Sequence, residues 1–222
     1  MALKFYASDL CPFCRPVKYF LKANSIPHQF QAIDLLAGKH RTEEYKKINP
    51  FQKVPTIIDD DFVIFESSTL LKYLANSQKT DEFWYPKNPK QRALVDLFFD
   101  WYGANVGNIN KYNAFKLGFV KNVTQEEAKQ ISDNALKELE NVFLSQRKFI
   151  SSHEKLTIAD VAVAFHFAGS KDSGYEFSPR LEEYIKNVYD QDPALKEDID
   201  SYIKLRREWL DSRENSDVKV KP

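Results

Sequence analysis

Apolar positions change their period along this chain, and the change divides it. Leu3, Phe5 and Ala7 alternate with Lys4, Tyr6 and Ser8, the period of a half-buried strand. Phe13, Val17, Phe20 and Leu21 then recur at helical spacing. After a turn cluster at Asn24-Ser25-Ile26-Pro27, His28 to Leu35 reads as a second strand carrying Phe30, Ala32 and Ile33. Leu36 to Lys47 is polar and contains Gly38, which predicts a loop and a short helix, and Asn49-Pro50 stops that helix. Lys53 to Ile58 reads as a strand, Asp59-Asp60-Asp61 as a turn, and Phe62 to Phe65 as the return strand of a hairpin. Glu66-Ser67-Ser68 precedes Leu70, Leu71, Tyr73 and Leu74, a helix start with serine caps. Beyond Lys90 only helical spacing is found. One helix carries Leu94, Leu97, Phe98, Trp101 and Tyr102. A second carries Ala128, Ile131, Ala135, Leu139 and Val142 behind a Thr124-x-x-Glu127 capping box. Thr157-x-x-Asp160 opens a third, apolar nearly all round from Ala159 to Ala168, which predicts burial on every side. Leu181 to Val188 and Ile199 to Leu205 give two more.

This pattern predicts two domains, residues 1–77 and 90–222, with a polar linker over 78–89 pinned by Trp84-Tyr85. The first runs strand–helix–strand–helix–strand–strand–helix, and one sheet covered by helices is the economical way to bury it. The fold class is therefore an α/β N-terminal domain followed by an all-α C-terminal domain. Composition supports packed cores, with 43% hydrophobic and 14% aromatic residues in 222. Thirty-two basic residues balance 32 acidic ones, so charge gives no general case for nucleic acid or a membrane surface. No apolar run approaches the roughly 18 residues of a membrane span. Met1-Ala2-Leu3-Lys4 enters a strand without a signal peptide, and two cysteines are too few for a secreted disulfide scaffold. A cytoplasmic protein is the expectation. Lys219-Val220-Lys221-Pro222 reads as a frayed tail.

Both cysteines stand in Cys11-Pro12-Phe13-Cys14-Arg15, between the first strand and the first helix. Pro12 suits the first helical position, which sets Cys11 at the helix N-terminus. Unpaired N–H groups and the macrodipole favour a thiolate there, and thiols so placed have pKa values of roughly 3.5 to 7.5. Arg15, four residues on, adds a cation on the same face. Cys14 lies within reach of a disulfide with Cys11, and Cys-x-x-Cys beside a strand–helix–strand pattern reads as a thioredoxin-like redox motif. Half of a zinc site is the competing reading. It lacks ligands, because His28, His40, His153 and His166 form no paired motif, and no metal is expected. Cys14 alone also fits a small core residue.

Val54-Pro55 before a strand, Glu66-Ser67 at a helix start and the buried helix at Thr157-Ile158-Ala159-Asp160 together resemble the cytosolic glutathione transferases over nearly the whole chain. Trp84-Tyr85-Pro86, His40 and Lys53 look most like the theta class. The resemblance implies a thioredoxin-like first domain with a mixed four-stranded sheet, a cis Val54-Pro55 bond, glutathione as co-substrate and a homodimer. It implies glutathione-binding roles for His40, Lys53, Val54, Pro55, Glu66 and Ser67. Their chemistry is suited to this. An extended edge at Val54 can pair with a peptide backbone, and glutathione is a peptide. Helix N–H groups at Ser67 suit a carboxylate, Glu66 an ammonium, and Lys53 with His40 the glycyl carboxylate. An ordinary helix cap at Glu66-Ser67 and a surface histidine at His40 are the plain alternatives.

One departure is informative. The theta class has a serine three residues before a Cys-Arg pair, and here that position is Cys11. Cys-Pro-Phe-Cys instead resembles glutaredoxins and, in part, omega-class transferases. A hydroxyl donates a hydrogen bond to the glutathione thiolate, whereas a thiolate forms a mixed disulfide with it. Catalysis by Cys11 with Cys14, as glutathione-dependent thiol transfer, is thus the leading expectation. Conjugation of glutathione to a small hydrophobic electrophile is the alternative, with a non-catalytic interaction module behind it. Gly103-Ala104-Asn105-Val106-Gly107-Asn108 also lacks the basic side chains often found there in theta members.

Overall fold

A computed structural model describes residues 3–152 and 154–215, so His153 and the tail read as frayed lie outside the described residues. The chain forms two compact units that divide between Tyr85 and Pro86.

In the first unit the strands are β1 (Leu3–Ala7), β2 (His28–Ala32), β3 (Thr56–Asp59) and β4 (Phe62–Phe65), and the helices are α1 (Cys14–Ala23), α2 (Glu43–Ile48) and α3 (Ser67–Ser77). The sheet order is β2-β1-β3-β4. β1 pairs parallel with β2 and antiparallel with β3, and β3 and β4 form the hairpin, so the sheet is mixed as expected. The alternation in β1 is realised, since Leu3, Phe5 and Ala7 are buried while Lys4 is exposed. Val17, Phe20 and Leu21 of α1 and Leu70, Leu71 and Leu74 of α3 complete this core. Trp84 belongs to it too, edge-on to Phe20 with ring centroids 5.4 Å apart.

Three local expectations are corrected. α1 begins at Cys14, not at Pro12, and Phe13 is its cap residue, 36% exposed rather than part of the core face. β2 ends at Ala32, because Asp34 turns the chain by accepting from the N–H groups of Leu36 and Ala37. α3 has no serine cap: Glu66 precedes it at φ 70°, and Ser67 is its first helical residue.

The second unit has helices and no strand among its described residues: α4 (Pro89–Ile109), α5 (Lys111–Lys116), α6 (Gln125–Leu139), α7 (Ile158–Asp172), α8 (Pro179–Gln191) and α9 (Pro193–Asn215), with a π-helical turn at Glu140–Leu144 after α6. Both expected capping boxes form, at Thr124/Glu127 and Thr157/Asp160. α7 is buried from Ile158 through Ser170. In and just after α4, Phe98, Phe99, Tyr102 and Tyr112 are buried, with Phe98 stacked on Tyr102 at 5.3 Å and edge-on to Phe143 at 5.4 Å. Helical spacing alone could not say which side of α4 faces its neighbours. No helix among the described residues is long and apolar enough to cross a membrane.

Candidate active site

Strand register sets the candidate residues at one end of the sheet. Tyr6 of β1 pairs with Thr56 of β3, which pairs with Phe65 of β4. The Cys11 turn follows β1, Val54-Pro55 immediately precedes β3, and Glu66-Ser67 immediately follows β4. All three therefore leave the same edge of the same sheet. Ile33 donates its N–H to the Ala7 carbonyl at 2.8 Å, so the segment running on toward His40 also starts there.

The Cys11 turn is closed by backbone. Cys11 donates to the Ser8 carbonyl at 3.1 Å, and its own carbonyl accepts from Cys14 at 3.0 Å and Arg15 at 3.1 Å. Cys11 thus sits one turn ahead of α1 while its carbonyl already accepts a helical hydrogen bond. Both cysteines are free thiols. The Cys14 thiol donates to the Cys11 sulfur, and the N–H groups of Cys14 and Phe13 point at it as well. Together they lower the Cys11 pKa against the opposing effect of burial. Cys14 moves the other way: burial, the bond to Cys11 and the Cys11 charge raise it well above its ordinary value. The pair is thus polarised into one proton-shedding and one proton-keeping sulfur. Arg15, the expected cation, is buried and lies 3.4 Å from Asp9, which also holds Lys18 at 2.5 Å.

The Val54-Pro55 bond is cis. Its approach is held by residues that no motif announced. The Lys53 carbonyl accepts from the Tyr45 hydroxyl at 2.9 Å, Asn49 Nδ2 at 2.8 Å and the Thr56 hydroxyl at 3.3 Å. Asn49 Nδ2 also reaches Thr56 at 3.0 Å, and its Oδ1 accepts from Phe51 N–H at 2.9 Å. Tyr45 lies in a polar stretch that reads as a loop and a short helix, yet it is buried. Its burial, and that of Asn49, depends on β3 arriving beside α2. Asn49→Ala removes three hydrogen bonds from a buried site, and we expect it to cost about 2 kcal/mol and to loosen the Val54 backbone. Thermal unfolding checks the first effect and glutathione titration the second; wild-type values in both would mean the network is idle.

Glu66 is exposed and Ser67 half-buried, and the positive φ of Glu66 is uncommon outside glycine. Strain of this kind costs about 1–3 kcal/mol and gathers at ligand clamps. Lys53 is exposed. His40 is half-buried on a 3-10 turn, Lys39–Arg41, and partial burial with the Arg41 charge lowers its pKa. Among the described residues no group of histidine, cysteine and carboxylate side chains could hold a metal.

Relatives give this arrangement its family. The chain is 34% identical over 168 residues to glutathione S-transferase theta-2 of Rattus norvegicus, covering 72% of this chain and 68% of the relative. The chain belongs to the glutathione S-transferase family. Residues 10–77 of this transferase match the family "Glutathione S-transferase, N-terminal domain". It is 31% identical over 191 residues to glutathione S-transferase theta-2B of Homo sapiens, with 82% and 78% of the two chains covered. Among solved structures, the human theta-class transferase in complex with the glutathione conjugate of 1-menaphthyl sulfate superposes with TM-score 0.84. That match has 27% identity and covers 96% of this chain and 92% of that one. Human glutathione S-transferase T1-1 without ligand also gives TM-score 0.84, at 26% identity, over 93% and 91%. The transferase is theta-like.

Proposed function

We propose that this transferase binds glutathione at the end of its sheet and joins its sulfur to a small hydrophobic electrophile. The observation that carries the reading is the register: Tyr6, Thr56 and Phe65 stand level, so a peptide-pairing backbone, a helix start and a sulfur-activating turn share one edge. Val54 pairs with the glutathione backbone. The Ser67 hydroxyl and the first N–H groups of α3 take the glutamyl carboxylate, and Glu66 takes the neighbouring ammonium. Lys53 and His40 take the glycyl carboxylate. The Cys11 turn then faces the glutathione sulfur, whose thiolate attacks carbon and expels the leaving group. The theta-class names of the relatives support conjugation over the thiol transfer that Cys-Pro-Phe-Cys first suggests.

A specific observation keeps the second reading in play. Cys14 donates to the Cys11 sulfur and lowers its pKa. In that route the Cys11 thiolate attacks a glutathione mixed disulfide, releases the partner thiolate and forms Cys11–S–S–glutathione. A second glutathione, or Cys14, then displaces the bound one. A homodimer acting in the cytoplasm is the family expectation, and sedimentation at micromolar concentration tests the dimer.

Two assays test the proposal. Wild-type protein should be retained on immobilised glutathione and should release sulfate from 1-menaphthyl sulfate when glutathione is added. Passage through the resin without retention would end the glutathione reading altogether. Ser67→Ala should weaken glutathione binding about tenfold, the effect of one charge-assisted hydrogen bond. Calorimetry on the folded variant measures it, and unchanged affinity would move the glutamyl carboxylate elsewhere.

A further inference from the structure

A hollow lies wholly within the helical unit, lined by none of the residues discussed above as the candidate active site. Its volume is about 370 Å³, within the usual range for small-molecule sites. One wall is the segment after the π-helical turn, with Ser145, Arg147 and Lys148, and the other is α8, with Arg180, Glu183 and Asn187. Three cations therefore face one carboxylate.

Elsewhere on these helices lysines pair with acids, as Lys129 with Asp133, Lys171 with Glu182 and Lys196 with Asp200. Among the described residues no such pair involves Arg147, Lys148 or Arg180. The two guanidinium groups are instead held by carbonyl oxygens. Arg147 Nη1 donates to Val142 at 3.4 Å and Phe143 at 3.3 Å, and Arg180 Nη2 donates to Leu144. Each guanidinium has five N–H donors, so most remain unused after these bonds. The carbonyls fix the forks without neutralising them.

The two walls are also tied to one point. Buried Asp160 accepts from Ile150 N–H at 2.9 Å, at the end of the first wall, and from the Tyr184 hydroxyl at 2.9 Å, on the second. The two walls are tied together and both guanidinium groups are positioned before any ligand arrives, which lowers the ordering cost of binding.

We propose that this hollow binds a small polyanion carrying at least two negative charges on planar or tetrahedral oxyanion groups, phosphate or carboxylate. Arginine forks match both geometries, Lys148 adds a point charge, and Ser145 and Asn187 offer neutral hydrogen bonds. Glu183 opposes the charge and sets the requirement for a multiply charged ligand.

Calorimetry of the full chain at constant ionic strength, with sodium pyrophosphate and separately with citrate, tests this. Saturable binding of pyrophosphate, citrate or both is expected, and which one binds identifies the oxyanion. Lys148→Glu should weaken it about tenfold or more, since it replaces attraction with like-charge repulsion. Glu183→Gln should tighten it. Lys196→Glu, an equal charge change on α9, should leave it unaltered. No binding of either probe would overturn the proposal and leave the arginines as caps for the helix end alone. Equal weakening by Lys148→Glu and Lys196→Glu would overturn it as well, as a general charge effect.

Discussion

Cys11→Ser is expected to abolish glutathione-dependent reduction of mixed disulfides and of dehydroascorbate while conjugation persists or rises. Thiol transfer needs a sulfur at this position to form the mixed disulfide, and a serine oxygen cannot take that role. Conjugation needs only a group that steadies the glutathione thiolate. A hydroxyl donates to that thiolate, whereas a thiol whose pKa is lowered is the poorer keeper of the proton it would donate. Cys14, the largest cause of the lowered Cys11 pKa, is thereby the residue that sets Cys11 against conjugation. Cys14→Ala, which removes that donor, should accordingly raise the Cys11 pKa and slow its alkylation at neutral pH. Cys11 should alkylate before Cys14, being 7% exposed against 1%. Both activities measured on wild type and on Cys11→Ser decide the matter. Disulfide reduction that survives the substitution would sink the thiol reading and turn attention to Ser8 or Tyr6. Conjugation lost with Cys11 would show that the sulfur itself serves that reaction.

The largest effect on stability is expected from Asp160→Ala. This carboxylate is fully buried and accepts four hydrogen bonds: Thr157 N–H at 2.7 Å, the Thr157 hydroxyl at 3.2 Å, Ile150 N–H at 2.9 Å and the Tyr184 hydroxyl at 2.9 Å. Burial raises its pKa while the four bonds lower it. Truncation leaves the Ile150 and Thr157 N–H groups and the Tyr184 hydroxyl without this acceptor, while the Thr157 hydroxyl keeps Ser151. The cost should be about 3–5 kcal/mol, as for removing one partner of a buried charged network. In a chain of this size that lowers the melting temperature by about 10–15 °C. Asp160→Asn keeps one acceptor oxygen and should lose less. A melting temperature within two or so degrees of wild type for Asp160→Ala, an error-sized shift on this scale, would mean that the donors find other partners.

How legible the site was varied with the kind of contact involved. Cys11, Val54-Pro55 and Glu66-Ser67 are recognisable because their chemistry is local: a turn before a helix, a residue before proline, a helix start. The capping boxes at Thr124 and Thr157 are local for the same reason, spanning three residues each. Tyr45, Asn49 and Thr56 escaped notice because their hydrogen bonds join α2, the Val54 approach and β3, and no period in the sequence marks such a meeting. The pairing of Arg15 with Asp9 also escaped notice, because Asp9 lies in the turn before α1 and no helical spacing relates the two.

The sequence by itself determined that this protein is an α/β unit followed by a helical one, with its only two cysteines at the first strand–helix junction. Periods of two and of 3.6 are properties of neighbouring residues, and burial follows from them. Only the tertiary structure decided the level of the strands, and hence that three separate segments leave one edge of the sheet together. It also decided which cysteine has its pKa lowered, since that depends on a neighbouring thiol and on N–H groups aimed at one sulfur. And it decided that Arg147, Lys148 and Arg180 surround one hollow. Those cations lie on two segments far apart in the chain, and Asp160, hydrogen-bonded to both, holds them side by side.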